Sequence, residues 1–488
     1  MSSQSRHPLG FPIECAPIMS RQKYDYRSPN SIYHLFLNLP AKKVAALHQK
    51  MIKLCRAKKF IYEDKKGRPT VIPLMLRPRL VTRKQRDRLW TLCQMMNRAY
   101  EKAARHYLGD PKVQEIFPFE EEEKKWVVDT LRAVKGQPNP IFSRWDANTS
   151  FHGKKWVEDF LFFENNGVGI GGVWYCPVSE EIMLETVVPE LRKLDPNLSL
   201  EKNHDARLLL MKFLRRHAQA IGRKNPLVAL AIDRSCFENF LEFPMLKRYF
   251  EKQGLRTLVA DPREFELHGA EVTYEGKKID LIYRDTTIQE FLELEKKGAD
   301  LRALHHAFRK NQVISSMGGE FDHKSLFEFF TSPVFGKYFT RQEKNLFAKH
   351  VLWTRLLREI KTEGPDGKMI DLISFVQKNK DRLVLKPNRL FGGEGVLIGP
   401  QTSRSEWDAG IRKGFAKPGD MVVQSHGTVY LKRFPVLKKS RRPSEDEYYV
   451  VTGFISTPDG LGILGRVSKR KVVNVARQGG ISAILVSR

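Results

Sequence analysis

The sequence predicts a mixed α/β (α+β) protein, with a parallel sheet in its middle third and a β-rich C-terminal part. Three observations predict it. Between 223 and 310, short apolar strands (227–232, 256–260, 278–283) alternate with a helical stretch at 243–253, the pattern of a parallel sheet. Apolar residues recur at helical spacing in 41–57 (Val44, Leu47, Met51, then Leu54 or Cys55) and in 82–108 (Leu89, Leu92, Met96, Tyr100). The last stretch carries strands at 383–387 (LVLKP), 421–424 (MVVQ), 448–454 (YYVVTGF), 462–468 (GILGRVS) and 481–486 (ISAILV), separated by glycine turns.

The remaining elements follow in order. Residues 1–40 are rich in Pro, Ser and Arg, show no periodicity and read as a loosely held arm. Residues 59–76 read as two strands around Asp64-Lys65-Lys66-Gly67, and a helix is predicted near 124–134. Phe142 to Asp146 and Trp156 to Phe163 read as strands, the second leading into Glu164-Asn165-Asn166 and a glycine cluster. Helices at 178–194 and 203–221 come next. A hairpin is expected over 271–283 around Glu275-Gly276, then a helical stretch over 286–362. The expected units are 1–75 (basic arm, helix, hairpin), 76–222, 223–310 and 311–488.

Composition narrows the function classes. At 488 residues the chain is long enough for two to four units and needs no covalent staple. With 41% hydrophobic residues and 30 Phe it is too rich in core-formers for wholesale disorder. No apolar run approaches the roughly 20 residues of a membrane helix, and MSSQSRHPLGFPIECAP lacks the apolar core of a signal peptide. Five scattered cysteines (Cys15, Cys55, Cys93, Cys176, Cys236) without CxxC argue against a disulfide framework or zinc cluster. A cytoplasmic protein with no membrane partner is expected. The net charge is +28, and residues 1–100 carry +16 of it. That block suits nucleic acid, acidic lipid, an anionic substrate or a merely solvated basic face. No zinc-finger spacing, RNP motif or basic heptad region singles out nucleic acid.

Gly167, Gly169 and Gly172 satisfy G-x-G-x-x-G, but a second helix rather than a strand follows, so the dinucleotide reading fails. No GxxxxGK[ST] loop exists. Lys386 ends an apolar strand before Pro387, Asn388 and the loop with Gly392, Gly393 and Gly395. A lysine beside bare glycine amides suits a polyphosphate, although an edge-strand lysine next to an ordinary turn would look the same. Asp146, Glu164 and Asn166 are hard oxygen ligands at strand ends, suited to Mg²⁺ bridging phosphates. Arg144 and Asp146 alternate, so both face one side.

Taken together, R-x-D, E-x-N with its glycines, and LVLKPN…GGEGV resemble the ATP-grasp ligases. The E-x-N strand precedes the lysine strand, as in the circularly permuted ATP-grasp group that includes glutathione synthetase and glutathionylspermidine synthase. VALAID, LVADPREF and GKKIDLIYRD resemble that group's parallel-sheet substrate (pre-ATP-grasp) domain, ending in Tyr283-Arg284. Phe321-Asp322-His323-Lys324-Ser325 resembles its second ATP lysine at a helix start. Trp353-Thr354-Arg355, Gln424, Arg466 and Asn474 to Gly480 fall where the group would place them.

The resemblance implies ATP-dependent joining of a small-molecule or peptide carboxylate to an amine through an acyl phosphate. Lys324 and Lys386 would hold phosphates beneath the glycine loop, and Asn388 belongs to the same nucleotide-binding stretch. Asp146, Glu164 and Asn166 would hold two Mg²⁺. Arg144 would stabilise the acyl phosphate, Gln424 would meet the adenine, and Arg284 and Arg466 would anchor carboxylates. Where glutathione synthetase has a metal-binding Glu after the lysine, this chain has Leu390. Strand alternation from Glu164 favours Asn166 over Asn165 as ligand. Two alternatives stay open: a small-molecule kinase on the same fold, and a nucleic-acid-binding protein with a degenerate core.

Overall fold

A computed structural model describes residues 31–63, 68–151, 156–235, 241–437, 443–470 and 479–488. Cys15, Cys236, the turn 64–67 and the closing residues 474–478 lie outside them, as do residues 1–30 of the arm. Among the described residues no helix is long and apolar enough to cross a membrane.

The architecture is mixed α/β. A six-stranded antiparallel sheet holds Arg144–Asn148 and Leu161–Asn166 at one edge, then Pro443–Thr457, Gly460–Ser468 and Gly479–Ile481, with Tyr430–Leu437 added alongside Pro443–Thr457. A four-stranded antiparallel sheet runs Thr354–Leu356, Met421–Ser425, Leu383–Pro387, Leu397–Ile398. The expected parallel sheet is present: Val313–Ile314, Leu281–Arg284, Val228–Ala231 and Thr257–Ala260 pair in parallel register. Its strands are mostly apolar and mostly buried, with Thr257 and Arg284 the polar exceptions.

The long helix, Arg83–Tyr107, starts where Thr82 accepts the Gln85 amide and Gln85 returns the bond, a capping box worth about 1 kcal/mol. Leu89, Leu92, Met96 and Tyr100 form its buried stripe, each contributing about 1.5–3 kcal/mol by removal from water. The helix Ala41–Ala57 buries Val44, Leu47, Met51 and Cys55.

Several expectations need correction. Residues 31–37 are a helix, Ser31–Leu37, with Ile32, Leu35 and Phe36 buried. Their helical spacing was hidden by the polar run before them. The predicted helix 178–194 breaks at Thr186 into Tyr175–Glu185 and Val187–Leu194. The span 286–362 is not all helical: Val313–Ile314, Thr354–Leu356 and Lys361–Glu363 are strands. The predicted strand 156–163 begins only at Leu161. The strands at 278–283 and 481–486 each divide between two sheets, since Lys277–Lys278 and Leu281–Arg284 separate, as do Gly479–Ile481 and Ile484–Ser487.

Candidate active site

Antiparallel pairing sets Asp146 opposite Glu164 and Arg144 opposite Asn166, so all four side chains share one face. The register then slips: Ala147 faces Phe162, leaving Phe163 as a bulge. A bulge frees its backbone from the ladder. The Phe163 carbonyl accepts from the Lys386 ammonium at 3.5 Å and from the Gln424 amide at 3.4 Å, joining the two antiparallel sheets.

On the facing sheet, Lys386 and Gln424 are diagonal neighbours, and Lys386 Nζ donates to Gln424 Oε1 at 2.6 Å. Burial pulls the Lys386 ammonium down to about 8; Glu164 opposes the shift and Lys324 adds to it. Lys324 donates to the Leu390 carbonyl at 2.6 Å and stands 3.5 Å from Glu164. It lies just before the helix Leu326–Thr331. The loop over this corner holds Gly392, Gly393 and Gly395 at φ of 66°, 74° and 67°, a left-handed path open to glycine.

Asp146 is fully buried between two guanidiniums. Arg144 Nε and Nη2 reach its two oxygens at 3.0 and 3.3 Å, Arg466 Nη2 donates at 2.5 Å, and Asn166 Nδ2 donates at 3.2 Å. Burial alone would raise this carboxyl; the two arginines outweigh it and hold it below the usual carboxylate range. Arg144 also donates to the Gly171 carbonyl at 2.7 Å. Arg466 Nε is buried without a partner. Gly453 on the next strand makes room, since a Cβ there would lie 2.8 Å from Arg144 Cδ and 3.0 Å from Asp146 Oδ1. Four cations (Arg144, Arg466, Lys324, Lys386) thus surround two carboxylates, an arrangement that attracts a polyanion.

Four expected roles change. Asp146 is not free to bind metal, because both oxygens are taken by guanidiniums. Arg284 is fully buried; it donates to the carbonyls of Ser315, Thr286 and Ser316 and pairs with Glu320, so it braces the parallel sheet rather than anchoring a substrate carboxylate. Gln424 is 1% exposed and spends its amide on Thr354 Oγ1 at 2.9 Å, so it orients Lys386 rather than reading an adenine. Asn388 is fully buried. Its side chain accepts from the Ser325 amide and donates to the Gly419 carbonyl, and its own carbonyl accepts the Lys324 amide, so it contacts protein on every side. Asn166, not Asn165, faces Asp146; Asn165 is buried with both amide atoms unpartnered.

The sequence reading missed the Phe163 carbonyl and Asp322. Asp322 accepts the Gly167 amide at 2.7 Å, tying the turn after Asn166 to the segment bearing Lys324. Burial raises its carboxyl to about 7. A bulge leaves no mark in composition, and no local pattern reveals a pair separated by 155 residues.

The residues present fit one divalent cation held jointly with phosphate oxygens, not two held by protein. Among the described residues, Glu164 has only the 3.5 Å contact with Lys324, and Asn166 commits its amide nitrogen while its oxygen carries no bond. Among the described residues no three His, Cys, Asp or Glu side chains group as a metal site.

No protein-family model matches the chain, and no curated protein matches its sequence. Among solved structures, a glutathione synthetase-like effector from Globodera pallida in its apo form aligns at TM-score 0.59 and 10% identity, over 92% of this chain and 98% of its own. A candidate gamma-glutamylcysteine synthetase from Methylobacillus flagellatus overlaps at TM-score 0.36 and 10% identity, over 78% of this chain and 85% of its own. At such identity the first likeness is one of fold: the chain shares the overall mixed α/β fold of a glutathione synthetase-like protein.

Proposed function

We propose that this chain is an ATP-dependent carboxylate–amine ligase of the circularly permuted ATP-grasp type, acting through an acyl phosphate. One observation carries the reading: Lys324, Lys386 and the Glu164–Asn166 edge come from segments up to 222 residues apart yet meet between two antiparallel sheets. The shared fold supports it.

The chemistry assigned to these residues is charge management. A substrate carboxylate oxygen attacks the γ-phosphorus and ADP leaves; the amine nitrogen then attacks the acyl carbon and phosphate leaves. Lys386 and Lys324 hold phosphate oxygens and offset the charge that develops on transfer. Mg²⁺ between Glu164, Asn166 and the phosphates would neutralise the transferring group. In this reading the acyl phosphate falls to Arg466, whose Nε has no partner, instead of to Arg144, which is spent on holding Asp146 in position. The glycine loop covers the corner and excludes water. The substrates are a small-molecule or peptide carboxylate and an amine, in the cytoplasm.

The test is incubation with ATP, Mg²⁺ and pools of carboxylic acids and amines, following phosphate release and new amide masses, with hydroxylamine as trap. Acid-dependent phosphate release with a hydroxamate supports the ligase. Stable phosphorylation of a hydroxyl, with no hydroxamate from any acid that stimulates ATP hydrolysis, replaces it with a kinase.

A further inference from the structure

A second group of cations lies on the other face of the six-stranded sheet. Arg79 donates to Thr452 Oγ1 at 3.2 Å and to the Thr149 carbonyl at 3.0 Å. Thr452 precedes Gly453, so by strand alternation Arg79 sits away from Arg144 and Asp146. Arg77 donates to the Arg433 carbonyl at 2.5 Å, and its Nε is buried without a partner. Lys432, half-buried on the strand Tyr430–Leu437, has no hydrogen-bond or ion-pair partner among the described residues. Arg77 and Arg79 are 6% and 5% exposed.

Among the described residues Glu445 is the one carboxylate that acts on this group. Among the described residues none of the three forms an ion pair, and Glu445, which acts on Arg77 from a distance, is bonded to the Tyr33 hydroxyl. Residues 438–442, which link the Lys432 strand to the next, read KKSRR and supply no carboxylate. Burial, then repulsion from Arg79 and Arg77, pulls the Lys432 ammonium down to about 7. The guanidiniums are nonetheless held in place: Arg77 lies 5.0 Å from the ring centres of both Tyr33 and Phe434, and Arg79 lies 5.0 Å from that of Phe151. Cation–π contact fixes a guanidinium without cancelling its charge. Three buried or half-buried cations with no ion-pair partner among the described residues are costly to fold, and an incoming dianion lowers that cost.

We propose that Arg77, Arg79 and Lys432 form an anion site, separate from the proposed ATP site, that takes a phosphate-class dianion, either inorganic phosphate or a phosphomonoester. Two guanidinium forks match phosphate oxygens, and Lys432 supplies a point charge at the open side.

The experiment titrates the full chain calorimetrically with inorganic phosphate and with glycerol phosphate, against chloride at equal ionic strength. The variants are Lys432→Met, Lys432→Gln and Lys386→Met. Phosphate affinity should fall about tenfold in either Lys432 variant, the order lost with one charge-assisted hydrogen bond. It should persist in Lys386→Met, while ATP affinity persists in the Lys432 variants. A stronger response to one probe tells free phosphate from a phosphorylated metabolite, and either supports the site. Phosphate binding no tighter than chloride, or lost in Lys386→Met and kept in both Lys432 variants, overturns it.

Discussion

Lys386 Nζ stands 2.6 Å from Gln424 Oε1, a diagonal contact between adjacent antiparallel strands that gives a buried ammonium its one short acceptor among the described residues. Gln424→Leu should leave that ammonium without an acceptor and lower ATP affinity about tenfold, while Gln424→Glu should fix the lysine as an ion pair and weaken binding too. Calorimetric titration with ATP reads both. Unchanged affinity in both variants would remove Gln424 from the site.

The same lysine should make the proposed nucleotide binding depend on pH. Burial pulls its ammonium down to about 8, with Glu164 raising it and Lys324 lowering it further. Phosphate oxygens favour the charged form, so the bound value is higher. Binding should therefore take up a proton when the pH exceeds about 8, and affinity should decline as pH rises through that value. Titration in two buffers of different ionisation enthalpy measures the uptake; none at pH 9 would contradict it.

Asp146→Asn should destabilise the fold by about 3–5 kcal/mol, because two buried guanidiniums lose the carboxylate they pair with. The loss should appear in urea denaturation without nucleotide or Mg²⁺. A variant as stable as the parent that fails only with Mg²⁺ present would return Asp146 to the metal ligands.

Arg466→Lys should lower product formation about 100-fold with ATP affinity retained, since lysine keeps the charge opposite Asp146 but lacks the fork. Amide formation under single-turnover conditions, beside an ATP titration, separates the two effects.

Gly453→Ala places a methyl 2.8 Å from Arg144 Cδ and 3.0 Å from Asp146 Oδ1. It should displace the pair, costing about 1–3 kcal/mol by overpacking and reducing turnover more than ATP affinity. Thermal denaturation and kinetics check this.

Local chemistry was legible where a short-range rule applied. Alternation put Arg144 with Asp146 and chose Asn166 over Asn165, and the helix stripe of Leu89, Leu92, Met96 and Tyr100 was readable from spacing alone. Partners hundreds of residues away were not legible. Arg284 and Gln424 have the residue types of binding groups, and only the Glu320 and Lys386 that meet them show where their donors and acceptors go. Arg466 and Asp146 pair across 320 positions, which no periodicity encodes.

Asn388 has a mechanical consequence. It receives the Lys324 and Ser325 amides and sits two residues after Lys386, so both lysines ride on one rigid jaw. No hinge fits between them without breaking those bonds. The opposite side is joined less tightly, by the 3.5 Å contact of Lys324 with Glu164 and the equally long reach of Lys386 to the Phe163 carbonyl. In the proposed ligase a nucleotide entering there would meet a fixed pair of charges on one side and a bulged strand edge on the other.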